Sequence, residues 1–124
     1  MVICDTNILI ELFKNNNTIK QKCIEIGIEN LSISAITAGE FYFGALNKNE
    51  LIQIKKHINY YKILILNKEI TEIFLNLMIK YSLSHKCHVN DMLIAATALY
   101  YDLSIFTLNV RDFKFIPKIK IISL

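Results

Sequence analysis

The chain has 124 residues, 53% of them hydrophobic and 20% charged, with a formal net charge of +3. That length suits one domain, residues 1–124, with room for a hydrophobic core, and the composition excludes an intrinsically disordered chain. No apolar run approaches the ~20 residues of a membrane helix. The opening Met1-Val2-Ile3-Cys4-Asp5 reaches a carboxylate too early for a secretory signal, so the expected location is the cytoplasm, with no membrane partner.

Taken in chain order, residues 2–4 are a short apolar strand, and residues 8–13 continue as a helix after Asp5-Thr6-Asn7. The polar break Asn15-Asn16-Asn17-Thr18 follows, with Thr18 as the expected cap of a helix running to about Gly27. Residues 31–34 alternate like a strand. Residues 37–46 and 49–61 have helical spacing. Ile63-Leu64-Ile65-Leu66 is an unbroken aliphatic run, expected to be a strand covered on both faces. Residues 69–84 and 91–101 are helical, the second apolar almost all round, and residues 104–107 and 118–122 complete the strands. Strands alternating with helices predict an α/β fold: three layers, α/β/α, around a mostly parallel central sheet.

Cys4, Cys23 and Cys87 are an odd number at irregular spacing, without CxxC, which points to neither a disulfide framework nor a zinc site. His85-Lys86-Cys87-His88 has metal-ligand residue types but no second ligand pair elsewhere, and is expected to be a solvated helix end.

The acids are more informative. In a parallel sheet, strand C-termini and helix N-termini share one edge, and ligands bind there. Asp5 ends the first strand, Glu40 lies early in the helix after the second, Asp91 opens the helix before residues 104–107, and Asp112 follows that strand. Each could be a cap or turn residue: Asp5 for the first helix, Thr37 with Glu40 as a capping box, Asn90 or Asp91 for the apolar helix, Asp112 in a turn. Four carboxylates converging on one edge would repel one another unless cations lay between them, and an all-oxygen set suits Mg²⁺ or Mn²⁺. Setting these four aside leaves seven acids against 14 Lys and Arg, a surround of +7 suited to a polyanion.

The same residues carry a family resemblance. Val2-Ile3-Cys4-Asp5-Thr6-Asn7 looks like the opening of PIN-domain proteins. Ser34-Ala35-Ile36-Thr37-Ala38-Gly39-Glu40-Phe41 with Gly44 is similar to their second motif, Asn90-Asp91-Met92-Leu93-Ile94-Ala95-Ala96-Thr97-Ala98 to their third, and Thr107-Leu108-Asn109-Val110-Arg111-Asp112-Phe113 to their fourth. The four occur in order over nearly the whole chain, with no acidic position missing. At this length the chain resembles the VapC-type toxins of bacterial toxin–antitoxin pairs. The resemblance implies a PIN-like fold, an endoribonuclease acting on RNA, a homodimer and a small antitoxin that blocks the site.

The implied chemistry is phosphodiester hydrolysis by water activated with one or two Mg²⁺ or Mn²⁺ ions. Asp5 and Asp91 are the expected direct ligands, with Glu40 and Asp112 completing the set. Thr6, Asn7, Thr107 and Asn109 are expected to orient carboxylates, water or phosphate. Two alternatives come from other classes. An Asp5-nucleophile phosphoryl-transfer enzyme would want a second Asp where Asn7 stands. A non-catalytic RNA-binding scaffold would have less use for an intact acidic set. Tyr42, Phe43 and Leu46, with Ile52, Ile54 and Ile58, are expected to form the homodimer surface.

Overall fold

The computed structural model describes residues 1–124. Five strands form one fully parallel sheet: β1 (Val2–Cys4), β2 (Leu31–Ser34), β3 (Lys62–Leu64), β4 (Ser104–Phe106) and β5 (Lys120–Ile122), in the order β3-β2-β1-β4-β5. Six helices connect them: α1 (Thr6–Phe13), α2 (Asn17–Ile26), α3 (Ala35–Phe43), α4 (Lys48–Ile58), α5 (Lys68–His85) and α6 (Val89–Tyr101). None is long and apolar enough to cross a membrane.

The central strand explains the layering. Successive side chains of a strand point to opposite faces, so a strand covered on both must be apolar throughout. In β1, Val2 and Cys4 enter a core with Ile8, Leu9, Ile19, Cys23, Ile54 and Ile58 from the α1–α4 side. Ile3 enters a second core with Ile70, Leu77, Met92, Ile94 and Phe113, built on α5 and α6. The three-layer expectation is met, with β1 at its centre.

Polar side chains fix the helix starts. Asn16, Ser34, Asn47 and Asn67 each cap a helix by accepting hydrogen bonds from backbone N–H groups. The cap of α2 is therefore Asn16 rather than Thr18, and α3 begins two residues before Thr37. That shift removes the Thr37–Glu40 capping box and leaves Glu40 inside the helix, free for other partners.

Two expectations fail on the α4–β3 segment. The aliphatic run at 63–66 belongs to an edge strand, not one covered on both faces: only Leu64 is buried, while Ile63 and Ile65 are 45% and 74% exposed. An apolar run reports a preference for extended structure, not how many of its side chains the fold covers. Ile54 and Ile58, expected on a dimer surface, are each 2% exposed in the first core, leaving Phe43, Leu46 and Ile52 of that group outside.

Replacing Ile3 by Ala should destabilise the protein by about 3 kcal/mol, since it empties a fully buried site in the central strand. Ile65→Ala should stay within about 0.5 kcal/mol of wild type. Urea unfolding midpoints of the two variants compare these directly; equal losses would contradict the edge assignment.

Candidate active site

All four carboxylates sit on elements that meet at the C-terminal edge of the sheet. Asp5 follows β1 and is the cap of α1. Its Oδ1 accepts a hydrogen bond from the Thr6 N–H at 2.8 Å. Its Oδ2 accepts from the Thr107 hydroxyl at 2.8 Å and from the Asn7 amide at 3.2 Å. The Thr107 hydroxyl accepts in turn from the Asn109 backbone N–H at 2.9 Å. Asn7 Oδ1 accepts from the Leu108 N–H at 3.4 Å, so the loop after β4 is tied to the loop after β1. Capping and a place in the carboxylate cluster are therefore compatible roles for Asp5.

Glu40 is held by a second set of donors. The Thr6 hydroxyl donates to Oε1 at 2.8 Å, and the Asn90 amide donates to Oε2 at 2.8 Å. The buried Thr37 hydroxyl lies 3.2 Å from that of Thr6. Thr37 and Asn90 thus join the network without having been expected there. Their only sequence signal is their place beside the acidic motifs, because each contact bridges separate elements. Of the four residues expected to orient the site, Thr6, Asn7 and Thr107 donate through side chains, whereas Asn109 does so through its backbone.

Asp91 is the third residue of α6, whose cap is His88, so neither Asn90 nor Asp91 caps that helix. Asp112 closes a 3-10 turn, Val110–Asp112. Burial raises the pKa of Asp5, opposed by its bonds from Thr107 and Thr6, and the charges of Glu40 and Asp112 raise it further. Asp91 is pushed up to about 6, first by burial and then by the charges of Asp5 and Asp112. No hydrogen bond offsets that rise.

The chain does not neutralise this cluster itself. Its three ion pairs, Lys14–Glu11, Lys22–Glu25 and Lys120–Asp102, include none of the four. Concentrated negative charge with an all-oxygen donor set fits a hard divalent cation. No three His, Cys, Asp or Glu side chains are arranged to cage an ion alone.

The raised Asp91 pKa has a definite sign in stability. Between pH 3.8 and about 6 the folded protein retains a proton that the unfolded chain has released, so stability falls as pH rises through that window. Asp91→Asn should therefore match wild type near pH 3.5. At pH 7, without metal, it should be more stable by about 1 kcal/mol after allowance for solvent screening, or about 4 °C in Tm. Thermal melts in EDTA across that range test this; a lower Tm for the variant at pH 7 would mark Asp91 as a stabilising structural residue. Asp5→Asn is a poorer probe, because an amide cannot accept all three of the bonds Asp5 receives.

Comparison with known proteins agrees with this fold. The PIN domain profile matches residues 2–118. A Rickettsia felis protein named Ribonuclease VapC1 is 33% identical over 98% of this chain and 95% of its own. Another from Rickettsia bellii, Ribonuclease VapC, is 51% identical over a 35-residue stretch covering 28% of this chain and 26% of that protein. Among solved structures, a toxin–antitoxin complex from Klebsiella pneumoniae superposes with a TM-score of 0.81 at 30% identity, covering 98% and 96% of the two chains. DNA-bound VapBC from Salmonella typhimurium shares the fold, with a TM-score of 0.87 at 23% identity over 98% and 96%. With its profile match, its VapC relatives and its four-motif parallel sheet, the chain belongs to the PIN-domain family, among the VapC-type proteins.

Proposed function

We propose that this protein is a Mg²⁺- or Mn²⁺-dependent endoribonuclease, the toxin of a toxin–antitoxin pair, which hydrolyses RNA phosphodiester bonds in the cytoplasm. The observation that carries the chemistry is a cluster of four carboxylates at one sheet edge, with Asp5 and Asp91 raised in pKa first by burial and then by their acidic neighbours, and none of the four in an ion pair. RNA as substrate and an antitoxin as partner are supported by the relatives named ribonucleases and by a structural neighbour that is a toxin–antitoxin complex.

Asp5 and Asp91 are the direct ligands in this reading, with Glu40 and Asp112 completing the oxygen set directly or through water. A bound divalent cation supplies Lewis acidity towards water and phosphate. The chain's own part is orientation. Three donors hold the Asp5 carboxylate, and Thr6 and Asn90 fix one oxygen each of Glu40. Each Glu40 oxygen keeps acceptor capacity for a water proton.

Purified protein freed of metal should leave RNA intact in EDTA and cut it when Mg²⁺ or Mn²⁺ is restored. Asp91→Asn and Asp112→Asn should each cut at least about 100-fold more slowly, and Asn90→Ala about tenfold more slowly. Mapping of cleaved ends on total RNA follows the reaction; by family analogy they carry a 5′-phosphate and a 3′-hydroxyl. Cleavage that persisted in EDTA would overturn the metal mechanism. Salt-dependent RNA binding with no cleavage in any metal would favour a scaffold.

A twofold homodimer is part of the same proposal. With Ile54 and Ile58 taken into the core, the contact is placed not on α3 and α4 but on α5, where Leu75, Ile79 and Leu83 recur at four-residue intervals as an exposed apolar stripe, with Leu83 97% exposed. Light scattering should give a dimer for wild type and a monomer for Leu83→Glu; a wild-type monomer at micromolar concentration would remove the dimer.

A further inference from the structure

Beside the carboxylates lies a cleft of about 220 Å³, lined by His85, Lys86, Asp91, Arg111, Asp112 and Phe115 among others. Its walls differ in chemistry. Asp91 and Asp112 form the acidic side. Arg111, the only arginine of the chain, is exposed and takes part in none of the three ion pairs, although it precedes Asp112 directly. A guanidinium with five uncommitted donors is suited to a phosphate, which it can grip in two-point fashion. Lys86 adds a second cation at the α5–α6 corner, in left-handed conformation at φ 48°.

The third component is aromatic. The His85 ring stacks on Phe115 with centroids 4.2 Å apart and planes 17° from parallel. Tyr81 braces both rings edge-on, at 5.4 Å from His85 and 4.9 Å from Phe115. The Ser84 hydroxyl lies 2.7 Å from His85 Nδ1. His85 is exposed while Phe115 and Tyr81 are more covered, so the stack ends in a braced, solvent-facing ring. Flat rings of this kind carry nucleic-acid bases.

We propose that this cleft is the nucleotide subsite beside the scissile phosphate, where Arg111 and Lys86 grip the neighbouring phosphate and the His85 ring carries that nucleotide's base. The inference rests on the RNA-cleavage reading of the carboxylates. The cleft is smaller than the ~300 Å³ at which small-molecule pockets begin, which suits one unit of a longer ligand rather than a separate metabolite. An acidic protein segment would use the cations but has no use for the stacked ring, and that favours RNA as the occupant.

Cleavage kinetics on a short RNA of defined sequence test this, with Mn²⁺ present and wild type compared with Arg111→Ala, Arg111→Lys, Lys86→Gly and His85→Ala. Lys86→Gly removes the charge at a backbone conformation glycine adopts freely. Arg111→Ala should raise KM about tenfold with a smaller change in kcat, and Arg111→Lys should recover part of the loss. Lys86→Gly should raise KM and lower the salt slope of RNA binding by about one charge. His85→Ala should raise KM about tenfold. Removing one base next to the cut should cost wild type a similar factor and cost His85→Ala nothing further. A base-removal penalty equal in both proteins at every position would overturn the stacking role, and an unchanged KM and salt slope in Arg111→Ala would overturn the phosphate role. Variants that cut RNA normally but lose the co-expressed antitoxin would assign the cleft to a protein partner instead. Wild-type protein that neither binds nor cuts RNA would remove the ribonuclease reading first, and this inference with it.

Discussion

A carboxylate buried at the end of the central strand has to be both retained and restrained, and much of the site follows from how Asp5 meets that demand. At 4% exposure it has little water to solvate it, so its charge depends on donors from the chain. Three arrive from two directions: the start of α1 supplies the Thr6 N–H and the Asn7 amide, and the end of β4 supplies the Thr107 hydroxyl. Satisfying one buried charge thereby fixes two loops against each other. Those loops carry Thr6, which reaches on to Glu40, and the turn that presents Asp112.

The donors stop short of neutralising the cluster. Asp5 is well hydrogen-bonded yet still raised in pKa, and Asp91 is raised with no compensating bond. Hydrogen bonding holds position while net charge is left over. A carboxylate cluster arranged this way gives up some stability wherever no counter-charge is present.

The architecture was legible because a parallel sheet constrains where acids can go. Apolar strands ending in Asp5 and preceding Asp112, with Asp91 in the first turn of its helix and Glu40 on the helix after β2, bring those residues towards one edge. What stayed hidden depends on contacts between distant elements. Nothing local marks Asn90 as a partner of Glu40, 50 residues away, or Thr37 as a neighbour of Thr6. The α3 start was displaced because Ser34 can serve at once as the last strand residue and the helix cap. The run at 63–66 misled because aliphatic density is the same in a central strand and in an edge strand with one buried side chain. The corner at 85–88 is, as its sequence suggests, a largely exposed helix end, but its place beside Phe115 and Arg111 follows only from the fold.

The pairing of β1 with β4 also bears on when the protein becomes competent. Val2 registers against Ser104, and Asp5 takes its bond from Thr107, 102 residues along the chain. During translation the flank of β1 that pairs with β4, and the Thr107 donor to Asp5, are missing until residues 104–107 have been made. Contacts this remote close late in folding. A nascent chain halted before residue 107 holds Asp5 without the Thr107 hydroxyl, and one halted before residue 90 holds Glu40 without the Asn90 amide. Ordering of the carboxylate cluster thus depends on residues more than a hundred positions apart, and local folding of the first motif cannot complete it.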